Sequence, residues 1–381
     1  MNVSDVTDGP RLALDTEFVW TRTYHARLGL VQISPSGAFD RSRLPMEPPS
    51  LIPFVPASEE ERGALLLDPL AADPAPIRDA LEDDSCVKLL HDATQDIQHL
   101  CRWTGCRAPR SVFDTRVAAG FCGLPATLSL AALVEETLGI HLAKTETRTD
   151  WLRRPLSPQQ LTYAAQDVIW LAPAARRLVA LASERGTIEW MMEEMERFDD
   201  PALYATPPFS DAWKRIKAPS AIRRDDAAGR RLRALAAWRE ETAEARDLPR
   251  RWVAEDDVLV SAALRPPRSP QALPPHAISP SFVPGFFHAL RAAEGASESG
   301  AGAEDSGHTL KNAPDEDPRV IRDKATELLE RLARRADEVG VAPTLIATRA
   351  DATAWVSAPG APDHPFMRGW RRTVLTPVLG L

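Results

Sequence analysis

The apolar positions of residues 1–205 follow first the two-residue period of β-strands and then the spacing of α-helices. In the segment RLALDTEF, residues 11–18, Leu12, Leu14 and Thr16 fall on one side of an extended chain, and Asp15 and Glu17 fall on the other. Further strands are predicted at residues 28–34, 64–67 and 87–91. Helices are predicted at residues 77–82, 94–103, 128–138, 158–185 and 187–198. This order of elements predicts an α/β domain, a mixed sheet with helices packed on it.

From about residue 211 onward the pattern is wholly helical. An amphipathic helix spans residues 232–246 and ends before Pro249. Residues 294–318 are rich in Ala, Gly, Ser and acids and lack apolar periodicity, which is typical of a flexible linker. We therefore predict an α/β domain and two small all-α domains, at residues 1–205, 211–293 and 319–381, with the linker before the last.

Composition excludes several classes of protein. A chain of 381 residues with 44% hydrophobic and 26% charged residues is globular and too long for one compact core. Its apolar runs are interrupted by polar residues and the N-terminus lacks a signal segment, so we expect a cytoplasmic protein without a membrane span. The four cysteines lack paired CxxC spacing, which predicts free thiols rather than a zinc site.

The net charge of −8 argues against a protein that coats nucleic acid indiscriminately. Locally the balance differs, because residues 213–251 contain twelve Lys or Arg and six Asp or Glu. This excess of cations in the helical half suits a guide for a phosphate chain.

Three short motifs carry the candidate chemistry. Asp15 and Glu17 lie two apart on a strand, so both carboxylates can face one cation. Tyr163 and Asp167, in YAAQD, lie four apart on a helix and share one face. Asp96 falls in the first turn of the helix that follows the strand VKLL.

Each motif has an ordinary structural explanation when it is considered alone. D-x-E is common on solvated strand faces, an acid at a helix start stabilises the helix dipole, and a helix Tyr is usually a core residue. Asp92 is an equally acidic candidate beside Asp96. The ordered combination, a strand, a strand-to-helix turn and a long helix, favours a shared site.

The same residues carry a resemblance to a known family. The segments DTEFVWTRTYHARLGLVQIS, KLLHDATQDIQHL, FDTRVAAGFCG and KTETRTDWLRRPLSPQQLTYAAQDVIWL resemble ribonuclease D, of the DEDD exonuclease superfamily with a ribonuclease H-like fold. The resemblance places the four family acids at Asp15, Glu17, Asp96 and Asp167, and so selects Asp96 over Asp92. Tyr163 stands where the tyrosine branch has its tyrosine.

A 3′ to 5′ exoribonuclease that releases 5′-mononucleotides is what this resemblance implies. Clustered carboxylates would repel one another without cations, so we expect two divalent ions, Mg²⁺ or Mn²⁺. Asp15, Glu17 and Asp167 would hold one ion, and Asp15 with Asp96 the other, while Tyr163 would hold the attacking water.

Several residues near these motifs are candidates for contact with RNA. Phe18 could stack on the terminal base, although a core position is equally consistent with the sequence. Phosphate contacts are assigned to arginines that are otherwise ordinary solvated side chains: Arg22, Arg27, Arg148, Arg153 and Arg154. For Asp114 and Thr115 the pattern favours a helix cap over a role in the site.

The helical half resembles HRDC modules, small nucleic-acid-binding domains that ribonuclease D carries twice. Residues 213–217 and 230–253 resemble the first module, until prolines interrupt the match from Pro266, and FMRGWRRTVL resembles part of the second. A purely architectural role for both modules fits the sequence nearly as well. Only ten residues precede Arg11, where the family usually has a strand and a helix, so an edge element is missing or the start lies upstream.

The expected partner is RNA with a free 3′ end, and the resemblance implies tRNA precursors; we expect a monomer. Two alternatives remain open at this point. The first is a DNA 3′ to 5′ exonuclease of the same superfamily, which would share the chemistry. The second is a catalytically silent RNA-binding scaffold, which would be expected to lack at least one of the four acids.

Overall fold

The computed structural model of the chain describes residues 1–45, 47–142, 149–219, 222, 226–295 and 317–381. By their contacts, these residues form two units. The first unit consists of Met1–Phe18, Leu28–Tyr204 and the C-terminal residues 317–381. The second consists of Val19–Arg27 and the helical residues that follow Tyr204, as far as residue 295.

A five-stranded mixed sheet is the centre of the first unit. Its order is β3-β2-β1-β4-β5, and the strands are β1 (Arg11–Val19), β2 (Arg27–Ser36), β3 (Leu65–Leu67), β4 (Val87–Leu90) and β5 (Val112–Asp114). β1 and β4 are parallel, as are β4 and β5, whereas β2 and β3 are antiparallel. The α/β class and the mixed sheet are therefore confirmed.

β1 is the middle strand and is covered on both faces. Leu12, Ala13 and Leu14 are all fully buried, so the apolar character does not alternate as it would in a strand with one solvated face. The predicted strands all occur, with small shifts at their ends. β5 was not predicted, because its three residues are too few to show a period.

The helices of the first unit cover the sheet. They are α1 (Val3–Thr7), α2 (Ala75–Glu82), α3 (Ala93–Thr104), α4 (Thr115–Phe121), α5 (Leu130–Leu138), α6 (Pro158–Ile169), α7 (Leu171–Arg185) and α8 (Ile188–Met195). The single helix predicted for residues 158–185 is wrong, since the chain forms two helices there. Pro173 has no N–H to donate to the carbonyl of Ile169, whereas the first turn of α7 tolerates a proline.

The C-terminal helices share the hydrophobic core of the sheet. The C-terminal helices are α13 (Pro318–Val339), α14 (Pro343–Ile346), α15 (Arg349–Ser357) and α16 (Gly369–Leu379). The helices of the second unit, which precede them in the chain, are α9 (Asp226–Ala245), α10 (Arg250–Val253), α11 (Asp256–Leu264) and α12 (Val283–Gly295). Trp370 of α16 packs edge-on against Phe121 at 5.0 Å and stacks on Trp190 at 6.3 Å, between ring centroids. The separate domain at residues 319–381 stays a prediction, although these contacts join its helices to the first unit.

Glu194 on α8 anchors α16 in this core. Its carboxylate accepts two bonds from Arg371, at 2.7 and 3.0 Å, and one from the Trp370 indole at 2.8 Å. Glu194 is only 4% exposed, and its pKa stays below the ordinary value because these donors and the charge of Arg371 outweigh the opposing effect of burial.

The second unit has its own helical core, in which Leu232, Leu235, Leu259 and Phe286 are buried. Most of the predicted linker lies outside the described residues. No helix within the described ranges is both long and apolar enough to cross a bilayer.

Candidate functional site

Asp15 and Glu17 on β1 and Asp167 on α6 converge at one place. A carboxylate oxygen from each lies within 4.8 Å of the others, close enough for all three to bind one metal ion. β1 supplies two of these groups because its two-residue period turns both side chains to the same face. The structure thus brings together three of the four acids that the sequence selected.

Asp96 approaches the same region from α3. Because α3 follows β4, which runs parallel to β1, the first turn of α3 lies beside the C-terminal half of β1. The hydroxyl of Thr16 donates a hydrogen bond to the carboxylate of Asp96, which is 9% exposed. Asp96 is outside the group of three, but its charge raises the pKa of Asp15 and of Glu17.

The rival acid Asp92 is not part of this cluster. Its side chain is 65% exposed and forms an ion pair with Arg116. Asp92 precedes α3 in the left-handed conformation, with a φ of 66°. The geometry therefore favours Asp96 over Asp92 as the fourth acid, independently of the family resemblance.

Burial and mutual repulsion make the four carboxylates bind protons more tightly than free carboxylates do. Burial is the main cause for each, and it raises the pKa of Glu17 to about 9 and those of Asp96 and Asp167 to about 7. The pKa of Asp15 is also raised well above its usual range, by burial and then by the charges of Asp96, Asp167 and Glu17. No arginine or lysine among the described residues forms an ion pair with any of the four. The cluster lacks a compensating positive charge from these residues.

Tyr163 lies one helical turn before Asp167 on α6, and its phenol interacts with the Asp167 carboxylate. Its ring lies 6.2 Å from that of Trp151, between centroids. Burial and the neighbouring carboxylates raise the pKa of the phenol well above 10. Tyr163 therefore remains a neutral hydrogen-bond donor at physiological pH.

Asp114 fixes the positions of two helices at once. It caps α4 through the N–H groups of Arg116 and Val117, at 2.8 and 3.2 Å. It also accepts from the N–H of Ala93, at 2.8 Å, at the start of α3. The predicted capping role is thus observed, and the second cap, which spacing alone does not reveal, helps to position the helix that carries Asp96.

Two neighbours of the site were not assigned a role from the sequence. Thr16 bonds Asp96, and His99 on α3 contacts Phe18 edge-on, with ring centroids 4.2 Å apart. Burial lowers the pKa of His99 to about 4, so the imidazole is neutral at pH 7. Both residues lie one to three positions from a motif acid, but only the tertiary contacts indicate their function.

The predicted RNA-contacting residues differ in their surroundings. Arg154 makes two bonds to Asp68, at 2.7 and 2.8 Å, and donates to the carbonyls of Trp151 and Gly29, which favours a structural role. Phe18 is partly buried, while the remaining described arginines are exposed: Arg22, Arg27 and Arg153. Arg148 lies outside the described residues.

Models of two protein families match the chain. The model described as a 3′-5′ exonuclease matches residues 50–180, which include Asp96, Tyr163 and Asp167. The model described as an HRDC domain matches residues 228–274, in the second unit.

Individual proteins extend this similarity over nearly the whole chain. Ribonuclease D of Desulfotalea psychrophila is 38% identical over 272 residues, which cover 70% of this chain and 65% of that protein. With ribonuclease D of Shewanella the match covers 62% of the relative, so the chain spans slightly less than two thirds of these two proteins. Ribonuclease D of Sphingobium indicum is 31% identical over 380 residues, which cover 96% of this chain and 87% of that protein.

The fold has a solved counterpart. The crystal structure of Escherichia coli RNase D, described as an exoribonuclease involved in structured RNA processing, superposes with a TM-score of 0.76. It is 28% identical in sequence and covers 98% of this chain and 93% of that chain. Together with the alignment to the Sphingobium protein along nearly its full length, this similarity shows that the chain belongs to the ribonuclease D family.

Proposed function

We propose that the protein is a metal-dependent 3′ to 5′ exoribonuclease that releases 5′-mononucleotides one at a time. The observation that carries the proposal is the convergence of Asp15, Glu17 and Asp167 within 4.8 Å, with Asp96 beside them. Four acids without a compensating cation among the described residues are costly to a fold, and a bound metal ion would offset that cost.

The donor set fits hard divalent cations such as Mg²⁺ or Mn²⁺, because every candidate ligand atom is a carboxylate oxygen. Asp15, Glu17 and Asp167 would hold one cation, and Asp15 with Asp96 would hold a second. When bound, such cations acidify a water molecule and neutralise the charge that develops on the departing 3′ oxygen.

The protein's own side chains orient the reactants. Tyr163 would hold the attacking water through its phenol, because a phenol whose pKa is raised above 10 orients water but does not deprotonate it. The water oxygen bonds to phosphorus as the bond from phosphorus to the 3′ oxygen breaks. The nucleotide that leaves therefore carries a 5′-phosphate.

The terminal nucleotide would rest against Phe18, whose ring is held edge-on by neutral His99. The exposed side chains of Arg22, Arg27 and Arg153 are the proposed phosphate contacts among the described residues, and Arg148 is a further candidate from the sequence. RNA with a free 3′ end, such as a tRNA precursor, is the proposed substrate. We propose that the protein acts as a monomer in the cytoplasm.

The test is the digestion of matched RNA and DNA strands labelled at the 5′ end, with Mg²⁺ or Mn²⁺ and with EDTA. We expect a ladder of RNA products that shortens from the 3′ end, and no products in EDTA. Asp15→Asn and Asp167→Asn should lower the rate at least about 1,000-fold, since each removes a group that the chemistry uses.

Asp92→Asn is the matched control, because Asp92 is an exposed acid at the start of α3 that lies outside the carboxylate group. It should retain wild-type activity. Faster hydrolysis of DNA than of RNA would indicate the DNA exonuclease. Binding of RNA without metal-dependent release of nucleotides would indicate the silent scaffold and would overturn the proposal.

A further inference from the structure

A polar cavity of about 480 Å³ lies entirely within the second unit. One wall comes from Trp20, Thr21, Thr23 and Tyr24, which follow β1. The rest comes from Arg215, which precedes α9, from Pro249, and from parts of helices α9, α10 and α11. None of the four carboxylates of the candidate site lines it. We call it the Trp20 pocket.

The segment that forms one wall of the Trp20 pocket is firmly held on α9 and α10. Tyr24, 3% exposed, donates its hydroxyl hydrogen to Glu240 at 2.6 Å, and its N–H donates to Asp247 at 3.0 Å. The guanidinium of Arg250 lies 4.8 Å from the centre of the Tyr24 ring and donates to both oxygens of Glu240 at 2.7 Å. One wall of the pocket is therefore held in place by these hydrogen bonds and by the contact between Arg250 and Glu240.

Positive charge predominates in the lining. Four arginines and two acids contribute, and both acids are already engaged. Glu240, 1% exposed, contacts Tyr24, Arg250 and, at 3.4 Å, the half-exposed Arg215, and Asp256 contacts Arg239 at 2.6 Å. Arg251 is exposed and forms no ion pair with any residue in the described ranges. The four arginines and two acids leave a surplus of two positive formal charges, which favours an anionic ligand.

Trp20 adds an aromatic surface to this cationic lining. It is 54% exposed, an unusual exposure for a tryptophan, and its indole N–H donates to the carbonyl of Tyr24 at 3.1 Å. An exposed ring beside arginines and the hydroxyls of Thr21 and Thr23 is the combination that binds single-stranded nucleic acid, through base stacking and phosphate contacts.

The position of Trp20 in the chain relates the pocket to the carboxylates. Trp20 directly follows β1 and is three residues after Glu17. Three peptide steps span at most about 11 Å between Cα atoms. A nucleotide stacked on Trp20 can therefore belong to the same RNA strand as a terminal nucleotide bound at Glu17.

We propose that the Trp20 pocket binds a nucleotide of the single-stranded RNA tail on the 5′ side of the terminal nucleotide. The base stacks on Trp20, and Arg251 and Arg215 contact the phosphate. This inference rests on the proposed exoribonuclease function and extends it: the enzyme would prefer a 3′ tail of several unpaired nucleotides over a substrate with one nucleotide.

The experiment compares two substrates that are hydrolysed at the same kind of bond, an ester bond to the 5′-phosphate of a uridine nucleotide. One is an octamer of uridylate, and the other is the p-nitrophenyl ester of uridine 5′-monophosphate, which has no upstream chain. For Trp20→Ala we expect the ratio of kcat/KM for the octamer to that for the ester to fall about 10-fold, the loss typical of a removed stacking platform. Trp20→Phe should restore the ratio to within about threefold, because it keeps an aromatic face.

Trp252→Ala is the matched control, because Trp252 is 55% exposed in the same unit but does not line the pocket. It should leave the ratio unchanged. Arg251→Ala should lower affinity for the octamer and reduce the slope of log affinity against log salt by about one.

A binding measurement separates the two proposals. Fluorescence anisotropy of a labelled octamer in EDTA should show about 10-fold weaker binding by Trp20→Ala, whether or not the wild-type protein is active. Equal binding and an equal substrate ratio for Trp20→Ala and the wild type would overturn the pocket while leaving the exoribonuclease intact. Hydrolysis of neither substrate by the wild type would overturn the function, and the anisotropy result would still decide on the pocket.

Discussion

Replacing Asp96 with Asn should stabilise the protein in the absence of metal. The carboxyl pKa is raised from 3.8 to about 7, mainly by burial and also by the charges of Asp92 and Asp114, and the bond from Thr16 offsets only part of this effect. Since the folded state holds this proton more tightly than the unfolded chain does, stability is unaffected below pH 4, falls as the pH rises from 4 to 7 and is constant above 7. At about 1.4 kcal/mol per tenfold change in protonation, the wild type loses about 4 kcal/mol by pH 8.

Asn has no charge to desolvate and can still accept the hydrogen bond from Thr16, so Asp96→Asn should recover about 2–4 kcal/mol of this loss. The assay is guanidinium unfolding in EDTA at pH 5 and pH 8. We expect the variant to exceed the wild type in free energy of unfolding at pH 8, and the difference to shrink towards pH 5. Added Mg²⁺ should narrow the difference at pH 8, because cations stabilise the wild-type carboxylates.

Asp92→Asn provides the comparison. Asp92 lies at the start of the same helix, but its carboxylate is exposed and paired with Arg116. An exposed pair contributes little, so its stability should change by under about 1 kcal/mol. If Asp96→Asn is no more stable than the wild type at pH 8 in EDTA, the argument is refuted that burial and repulsion of the Asp96 charge destabilise the metal-free protein.

The other predictions concern Tyr163 and Glu194. Tyr163→Phe keeps the ring beside Trp151 but loses the hydroxyl that interacts with Asp167. Steady-state kinetics should therefore show kcat about 10–100-fold lower with KM within about twofold. An unchanged kcat would exclude a role of Tyr163 in orienting water. Glu194→Ala leaves Arg371 and the Trp370 indole without their acceptor, and we expect it to lower the free energy of unfolding by about 3 kcal/mol. Glu196 is exposed, so Glu196→Ala should change that free energy by under about 0.5 kcal/mol. Denaturant titration measures both values. Because the pKa of Glu194 is lowered in the folded state, its contribution is present above the ordinary value of 4.5 and is lost as the pH falls. A loss of stability equal for both variants, or independent of pH, would contradict the anchoring role.

The sequence by itself determined the features that depend on local periodicity. The two-residue period of β1 puts Asp15 and Glu17 on one face, and the helical period of α6 puts Tyr163 and Asp167 on another, so neither pairing needs knowledge of the rest of the chain. The break between α6 and α7 was equally local but was missed, because apolar spacing continues through Pro173.

Only the tertiary structure decided which distant groups meet. The residues alone do not distinguish Asp92 from Asp96 as candidates for the fourth acid. The parallel pairing of β4 with β1 brings Asp96 to Thr16, whereas Asp92 pairs with Arg116. Arg154 could be distinguished from the exposed arginines only by its contacts with Asp68 and Gly29. The assignment of Trp20 to the helical unit, although it directly follows a strand of the sheet, has the same cause. Contacts between residues far apart in the chain depend on how the elements pack, and periodicity carries no information about that packing.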